Sequence, residues 1–160
     1  MVIRFATNSD VPAILELLRQ VGGLHHDGRP DIFRAGAQKY SASEVIALLA
    51  DPKKPIFIAA EGEKVLGYGF CQIETYQKDP VMTDRVELYL DDLCVENSCR
   101  GQGVGKALLL KCLASLKEMG YVYAFIGWPD EDAIHFYEEA TGGMMIPGGV
   151  SVYSRMVHLD

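Results

Sequence analysis

Hydrophobic and polar positions recur along this chain in two periods, one helical and one alternating. Val2 to Ala6 is a short apolar run around Arg4 and reads as a strand. Thr7 followed three positions later by Asp10 has the form of a capping box, and Ile14, Leu17, Leu18 and Val21 then fall at helical spacing. Gly22 and Gly23 predict the end of that helix, with a polar loop from His25 to Asp31 that contains Arg29 and Pro30. Ser41 with Glu44 is a second capping box, opening a helix that carries Val45, Leu48 and Leu49 and stops at Pro52. Pro55 to Ala60 and Val65 to Ile73 flank a polar turn with Gly62 and predict a hairpin.

The second half alternates strand and helix. After a loop around Asp79 and Pro80, Val86 to Val95 predicts a longer strand. Gly103 to Met119 predicts a helix with Leu109, Cys112, Leu113 and Leu116 on one stripe, and Gly120 stops it. Tyr121 to Ile126 reads as a strand. Asp130 then has the character of an N-cap, and Ala133, Phe136, Tyr137 and Ala140 follow at helical spacing. Beyond Gly142 and Gly143, Met144 to Ile146 and Val150 to Val157 predict two closing strands. Hairpin-connected strands followed by strand, helix and strand predict an α/β (α+β) fold: a mixed, mostly antiparallel twisted sheet of about seven strands with helices on both faces.

Composition narrows the function classes. The 160 residues are expected to form one domain, 1–160. A net charge of −7 weighs against a nucleic-acid partner, which calls for a basic face. No run approaches the ~20 apolar residues of a membrane span. Met1 to Thr7, with Arg4 at its centre, does not resemble a signal peptide, so a cytoplasmic location is expected. Cys71, Cys94, Cys99 and Cys112 show no paired spacing and no zinc-site pattern, so buried free thiols and no metal are expected.

The chemistry concentrates at Arg100, Gly101, Gln102, Gly103, Val104, Gly105 and Lys106, between a strand and a helix. Three alternating glycines weaken either element, at about 0.5–1 kcal/mol each. They suit a turn whose N–H groups converge on an anion at a helix start, with Arg100 and Lys106 adding charge. Two familiar phosphate motifs fail. Arg100 stands where a P-loop needs its first glycine, Ala107 replaces its Ser or Thr, and Lys106 replaces the last glycine of the dinucleotide pattern.

Leu90 to Leu110 resembles the acetyl-CoA signature of the GNAT superfamily of N-acetyltransferases. Arg100, Gly103 and Gly105 meet its Arg/Gln-x-x-Gly-x-Gly/Ala pattern. Ala133, Phe136, Tyr137, Glu138 and Gly142 resemble that family's later helix motif, and the element order is similar throughout. The resemblance implies acetyl-CoA as cosubstrate, with the N–H groups of Gln102 through Lys106 on its pyrophosphate. It further implies that Leu93, Cys94 and Val95 pair with the pantetheine arm like an added strand. Ala133 and Phe136 join the same site, as does Asp130, which replaces the family's usual Asn and cannot donate a hydrogen bond when ionised. A homodimer is implied by the family alone.

Acetyl transfer to an amine needs a neutral amine, a polarised carbonyl and a proton for the leaving thiolate. An alkyl amine with pKa ~10.4 is only about one part in ~2,500 neutral at pH 7, so a positioned base is useful. Asp91 stands where many family members carry a glutamate and is the favoured base. Regular alternation would group it with Glu87 and Tyr89, whereas a bulge would make Asp92 the rival. Tyr137 matches the family's tyrosine and is the favoured acid. A backbone N–H near Leu93 or Cys94 is the expected carbonyl donor. A covalent role for Cys94 is disfavoured, because no histidine lies near it in sequence.

For the acceptor, His26, Arg29, Asp31 and Phe33 cluster beside His25 in the first interhelical loop, with Tyr89 as a further substrate-binding candidate and Trp128 as either core or pocket wall. His26 and Arg29 read as carboxylate binders, and Asp31 or Asp92 as an ammonium holder. An Arg29 paired to a carboxylate in a solvated loop is an equal reading. The expected reaction is acetylation of a primary amine on a small molecule or peptide. The alternative is a non-catalytic acyl-CoA-binding regulatory module, against which Tyr137 and the strand carboxylates argue.

Overall fold

A computed structural model of the protein describes residues 1–118, 123–128, 135, 136, 139, 140, 144–147 and 153–158. In chain order the elements are β1 (Val2–Phe5), α1 (Val11–Gly28), α2 (Ala42–Leu49), β2 (Ile56–Glu61), β3 (Lys64–Tyr76), β4 (Arg85–Val95), α3 (Val104–Glu118), β5 (Tyr123–Trp128), β6 (Met144–Pro147) and β7 (Tyr153–His158). His135, Phe136, Glu139 and Ala140 are also helical.

The strands form one seven-stranded sheet in the order β1-β2-β3-β4-β5-β7-β6, antiparallel except for the parallel pair β4–β5. The continuous apolar run of β2 reflects burial on both faces. Ile56, Ile58 and Ala60 enter a core with Ile14, Leu17, Leu18 and Val45 from α1 and α2, while Phe57 and Ala59 enter another with Leu108, Leu109 and Cys112 of α3. Helices thus cover both faces, as the alternation of elements predicts. Among the described residues no helix is long and apolar enough to cross a membrane. All four cysteines are free and buried.

One expectation is overturned at the end of α1. The helix runs through Gly22 and Gly23 to Gly28, with Arg29 as its C-cap, so His25 and His26 belong to its last turn and not to a loop. Each glycine weakens a helix by only about 1 kcal/mol, which surrounding contacts can offset. Gly22 answers a packing demand: a Cβ there would lie 2.4 Å from the Ala37 carbonyl oxygen, because the chain returning toward α2 lies directly on the helix.

A second irregularity sets up the site. Phe70 pairs with Asp92 and Cys71 with Leu90, leaving Asp91 as the extra residue of a bulge in β4. Side-chain parity therefore switches. Leu88 and Leu90 face the α3 core, whereas Cys94 packs in the α1 core.

Candidate active site

The turn before α3 has the backbone that its glycines foretell. Gly101 and Gly103 have φ of +73° and +80°, where a Cβ is strained, and a Cβ on either would meet nothing within 4 Å. The open side is a cleft of ≈ 420 Å³. Arg100, Gly101, Gly103, Val104, Gly105 and Lys106 line one side of it, with Val95, Phe136 and Ala140 opposite. The first backbone bond out of the turn runs from Ala107 N–H to Gly103 O at 3.0 Å. Among the described residues the N–H groups from Gly101 to Lys106 have no backbone acceptor, so a helix start and a left-handed turn present their donors to the cleft.

Two side chains of the turn brace it. Arg100 Nε donates to Val95 O at 3.1 Å, and Gln102 Nε2 donates to Ser98 O at 3.0 Å. The Gln102 side chain is thereby occupied, while its amide remains with the others.

Val95, the last residue of β4, lines the same cleft. Among the described residues β4 and β5 are in register from Glu87–Tyr123 to Leu90–Ile126, and none pairs with β4 on that side beyond Leu90. Glu96 N–H donates to Leu66 O of β3. Antiparallel alternation therefore turns the backbone of Cys94 toward β3, and that of Leu93 and Val95 toward the gap. Of the two expected carbonyl donors, Leu93 N–H is the one facing the opening.

The bulge separates the two carboxylates. Asp91 Oδ2 accepts from Lys39 Nζ at 2.8 Å and from the Tyr40 hydroxyl at 3.1 Å. Asp92 is buried, 5% exposed, and accepts from the Tyr68 hydroxyl at 3.1 Å. Burial pushes the Asp92 pKa above the ordinary carboxylate range, while Lys39 and the Tyr68 hydrogen bond pull the other way. Burial and neighbouring negative charge hold the Tyr40 and Tyr68 hydroxyls firmly protonated. Tyr89 is shifted upward chiefly by burial.

Cys94 is no nucleophile. Burial pushes its thiol up to about 12, and its Sγ donates to Leu17 O at 3.6 Å.

The expected acceptor loop is bonded to itself. Arg29 makes two bonds to Asp31, Nε to Oδ1 at 2.9 Å and an NH2 to Oδ2 at 2.8 Å, and both side chains are exposed. This is the solvated pair, and it leaves neither residue aimed at an acceptor. His26 Nδ1 lies 2.8 Å from Phe33 O, and the Phe33 ring packs on His25 at 4.8 Å, so these residues tie the loop to α1. Trp128 ends β5 opposite Tyr153. Tyr137, Asp130 and Ala133 lie outside the described residues.

Residues 24–142 match the Acetyltransferase (GNAT) family. The chain belongs to this family. A comparison with curated proteins returns no match. Among solved structures, this GNAT acetyltransferase is similar to the tetramutant of the BH1408 protein from Bacillus halodurans, at 27% identity and a TM-score of 0.84, covering 94% of this chain and 97% of that one. The PaiA N-acetyltransferase of Thermoplasma acidophilum, solved in complex with coenzyme A, shares 14% identity with a TM-score of 0.74 and 99% coverage of both chains. The putative acetyltransferase YncA of Salmonella typhimurium, solved with acetyl-CoA, shares 17% identity with a TM-score of 0.68, covering 100% of this chain and 94% of that one.

The structure of this GNAT acetyltransferase also sets beside Asp91 and Asp92 three residues that reading the sequence passes over: Lys39, Tyr40 and Tyr68. Lys39 and Tyr40 lie 52 and 51 positions from Asp91, beyond any local pattern. Tyr68 carried a usable signal, being a hydroxyl in an otherwise apolar strand that must find a buried partner.

Proposed function

We propose that this acetyltransferase, acting as a single domain over 1–160, transfers the acetyl group of acetyl-CoA directly to a primary amine of a small molecule or peptide. The observation that carries the reading is the cleft at the turn: among the described residues the N–H groups from Gly101 to Lys106 have no backbone acceptor, and Val95 at the end of β4 lines the same cleft.

In this reading the N–H groups of the turn bind the cofactor's pyrophosphate, and the backbone of Leu93 and Val95 bonds the pantetheine amides. Leu93 N–H polarises the thioester carbonyl. The amine nitrogen attacks the carbonyl carbon, the C–N bond forms and the C–S bond breaks. Asp91, with its side chain 24% exposed, receives the amine's proton. Tyr137, assigned from the family motif, gives a proton to the thiolate. Asp92 is buried, with its carboxylate bonded to the Tyr68 hydroxyl, and is not the group assigned to the proton. Alignment of the two reactants supplies up to ~7–11 kcal/mol, and proton transfer about 10²–10⁴-fold.

The test is thiol release from acetyl-CoA by the purified chain across a panel of primary amines, with coenzyme A binding measured by calorimetry. Amine-dependent release supports the transferase. Tight binding with no release by any amine would support the regulatory module.

A further inference from the structure

The candidate base is already in contact with a primary amine. Lys39 Nζ lies 2.8 Å from Asp91 Oδ2, across 52 positions of sequence. The same oxygen accepts from Tyr40, whose ring centroid is 5.6 Å from the Lys39 ammonium. Behind it the Tyr40 ring stacks on Phe70 at 5.4 Å, and Phe70 meets Tyr68 edge-on at 4.9 Å. A carboxylate in front and an aromatic face alongside are what an alkylammonium needs for recognition.

Lys39 is not locked there. Its side chain is 43% exposed, and ion pairs of that kind contribute only ~0–1 kcal/mol. The segment that carries it is held independently through Tyr40, whose ring stacks on Phe70 at 5.4 Å and whose hydroxyl donates to Asp91 at 3.1 Å. The ammonium can leave Asp91 without unfolding its surroundings.

We propose that Lys39 is a resident stand-in for the acceptor: the subsite formed by Asp91 and Tyr40 selects a primary alkylammonium, and the acceptor must displace the Lys39 side chain to reach Asp91. The inference rests on the proposed function in taking Asp91 as the group that faces the acceptor. It adds the acceptor's class, an unbranched alkylamine, and a residue that sets the acceptor's apparent affinity without touching acetyl-CoA.

The probe is n-butylamine, which carries the lysine side chain's own four carbons and charge. Thermal shift at fixed ionic strength compares the wild type with Lys39→Ala and with Lys39→Ala/Asp91→Asn. The single variant is expected to bind n-butylammonium up to about fivefold more tightly than wild type, ~1 kcal/mol, and the double variant is expected to lose that gain. In the thiol-release assay the KM for n-butylamine should fall about as much in Lys39→Ala, with the KM for acetyl-CoA unchanged. Equal n-butylammonium responses in wild type and Lys39→Ala, or a gain that survives loss of Asp91, would overturn the proposal. Lys39→Met, which keeps the apolar stem, carries the same comparison if the alanine variant folds poorly. The thermal arm needs no turnover, so it remains decisive even if no amine releases thiol.

Discussion

The Tyr68 hydroxyl donates to Asp92 Oδ2 across β3 and β4, and the two side chains are respectively 0% and 5% exposed as residues. A buried carboxylate with one neutral donor is poorly compensated, which is why its pKa rises. The folded chain then holds this proton more tightly than the unfolded chain. The resulting contribution to stability is complete below the ordinary value of 3.8 and is lost as pH rises through the raised pKa. Asp92→Asn keeps an oxygen for Tyr68 and removes the charge. Its Tm at pH 7 should exceed that of wild type, by about 2–4 °C for each ~1 kcal/mol, and the gap should close below pH 3.8. Melting curves across pH check both the sign and the window. A Tm at pH 7 no higher than wild type would mean that Lys39 and His25 fully offset the burial.

At Gly103, φ of +80° and the empty space beyond its Cα act together. Gly103→Val meets a backbone strain of ~1–2 kcal/mol and puts a branched side chain into the cleft. Coenzyme A affinity should fall about 100-fold or more, ~2.8 kcal/mol, while circular dichroism still reports a folded chain. Unchanged affinity in that folded variant would detach the turn from phosphate binding.

The helix spacings, both capping boxes and the succession of elements along the chain were readable in the sequence because each depends on neighbours within a few positions. The Thr7–Asp10 and Ser41–Glu44 boxes both form. Gly22 misled for a definite reason: a helix stop and a close tertiary approach both call for glycine, and only the fold brings Ala37 alongside. The β4 bulge was open as an alternative, since alternation alone cannot say where a strand skips. Arg29 read as a carboxylate binder and Asp31 as an ammonium holder, with a solvated Arg29–carboxylate pair as the equal reading, because sequence shows charge without its partner; here each is the other's partner. Lys39 and Tyr40 could not have been joined to Asp91 by any periodicity.

For Tyr137 the expectation comes from its motif. Tyr137→Phe removes one hydroxyl and leaves the ring, so turnover should drop by about 10²-fold or more with little change in acetyl-CoA affinity. Steady-state kinetics beside direct binding separates the two quantities. Equal turnover would remove Tyr137 as the acid.

Asp91→Asn takes away the group proposed to accept the amine's proton. The acidic limb of the pH–rate profile for kcat/KM should flatten, and the rate on the plateau should fall about 10²–10⁴-fold. An intact limb would transfer that role to Asp92 or to water. The same profile measured on Asp92→Asn tells those two apart.

Among the described residues the parting of β4 from β5 after Leu90 leaves backbone without a strand partner in the middle of the sheet, where most sheets keep it at the rim. Rim strands invite other copies to add on, and proteins blunt them with charge or bulges. Here concealment does that work. The wedge opens from the ~4.8 Å spacing of paired strands, so near its apex it admits a single slender chain and turns away anything as broad as a second sheet. If the cofactor's pantetheine arm enters there as proposed, its slenderness is what suits it to the place.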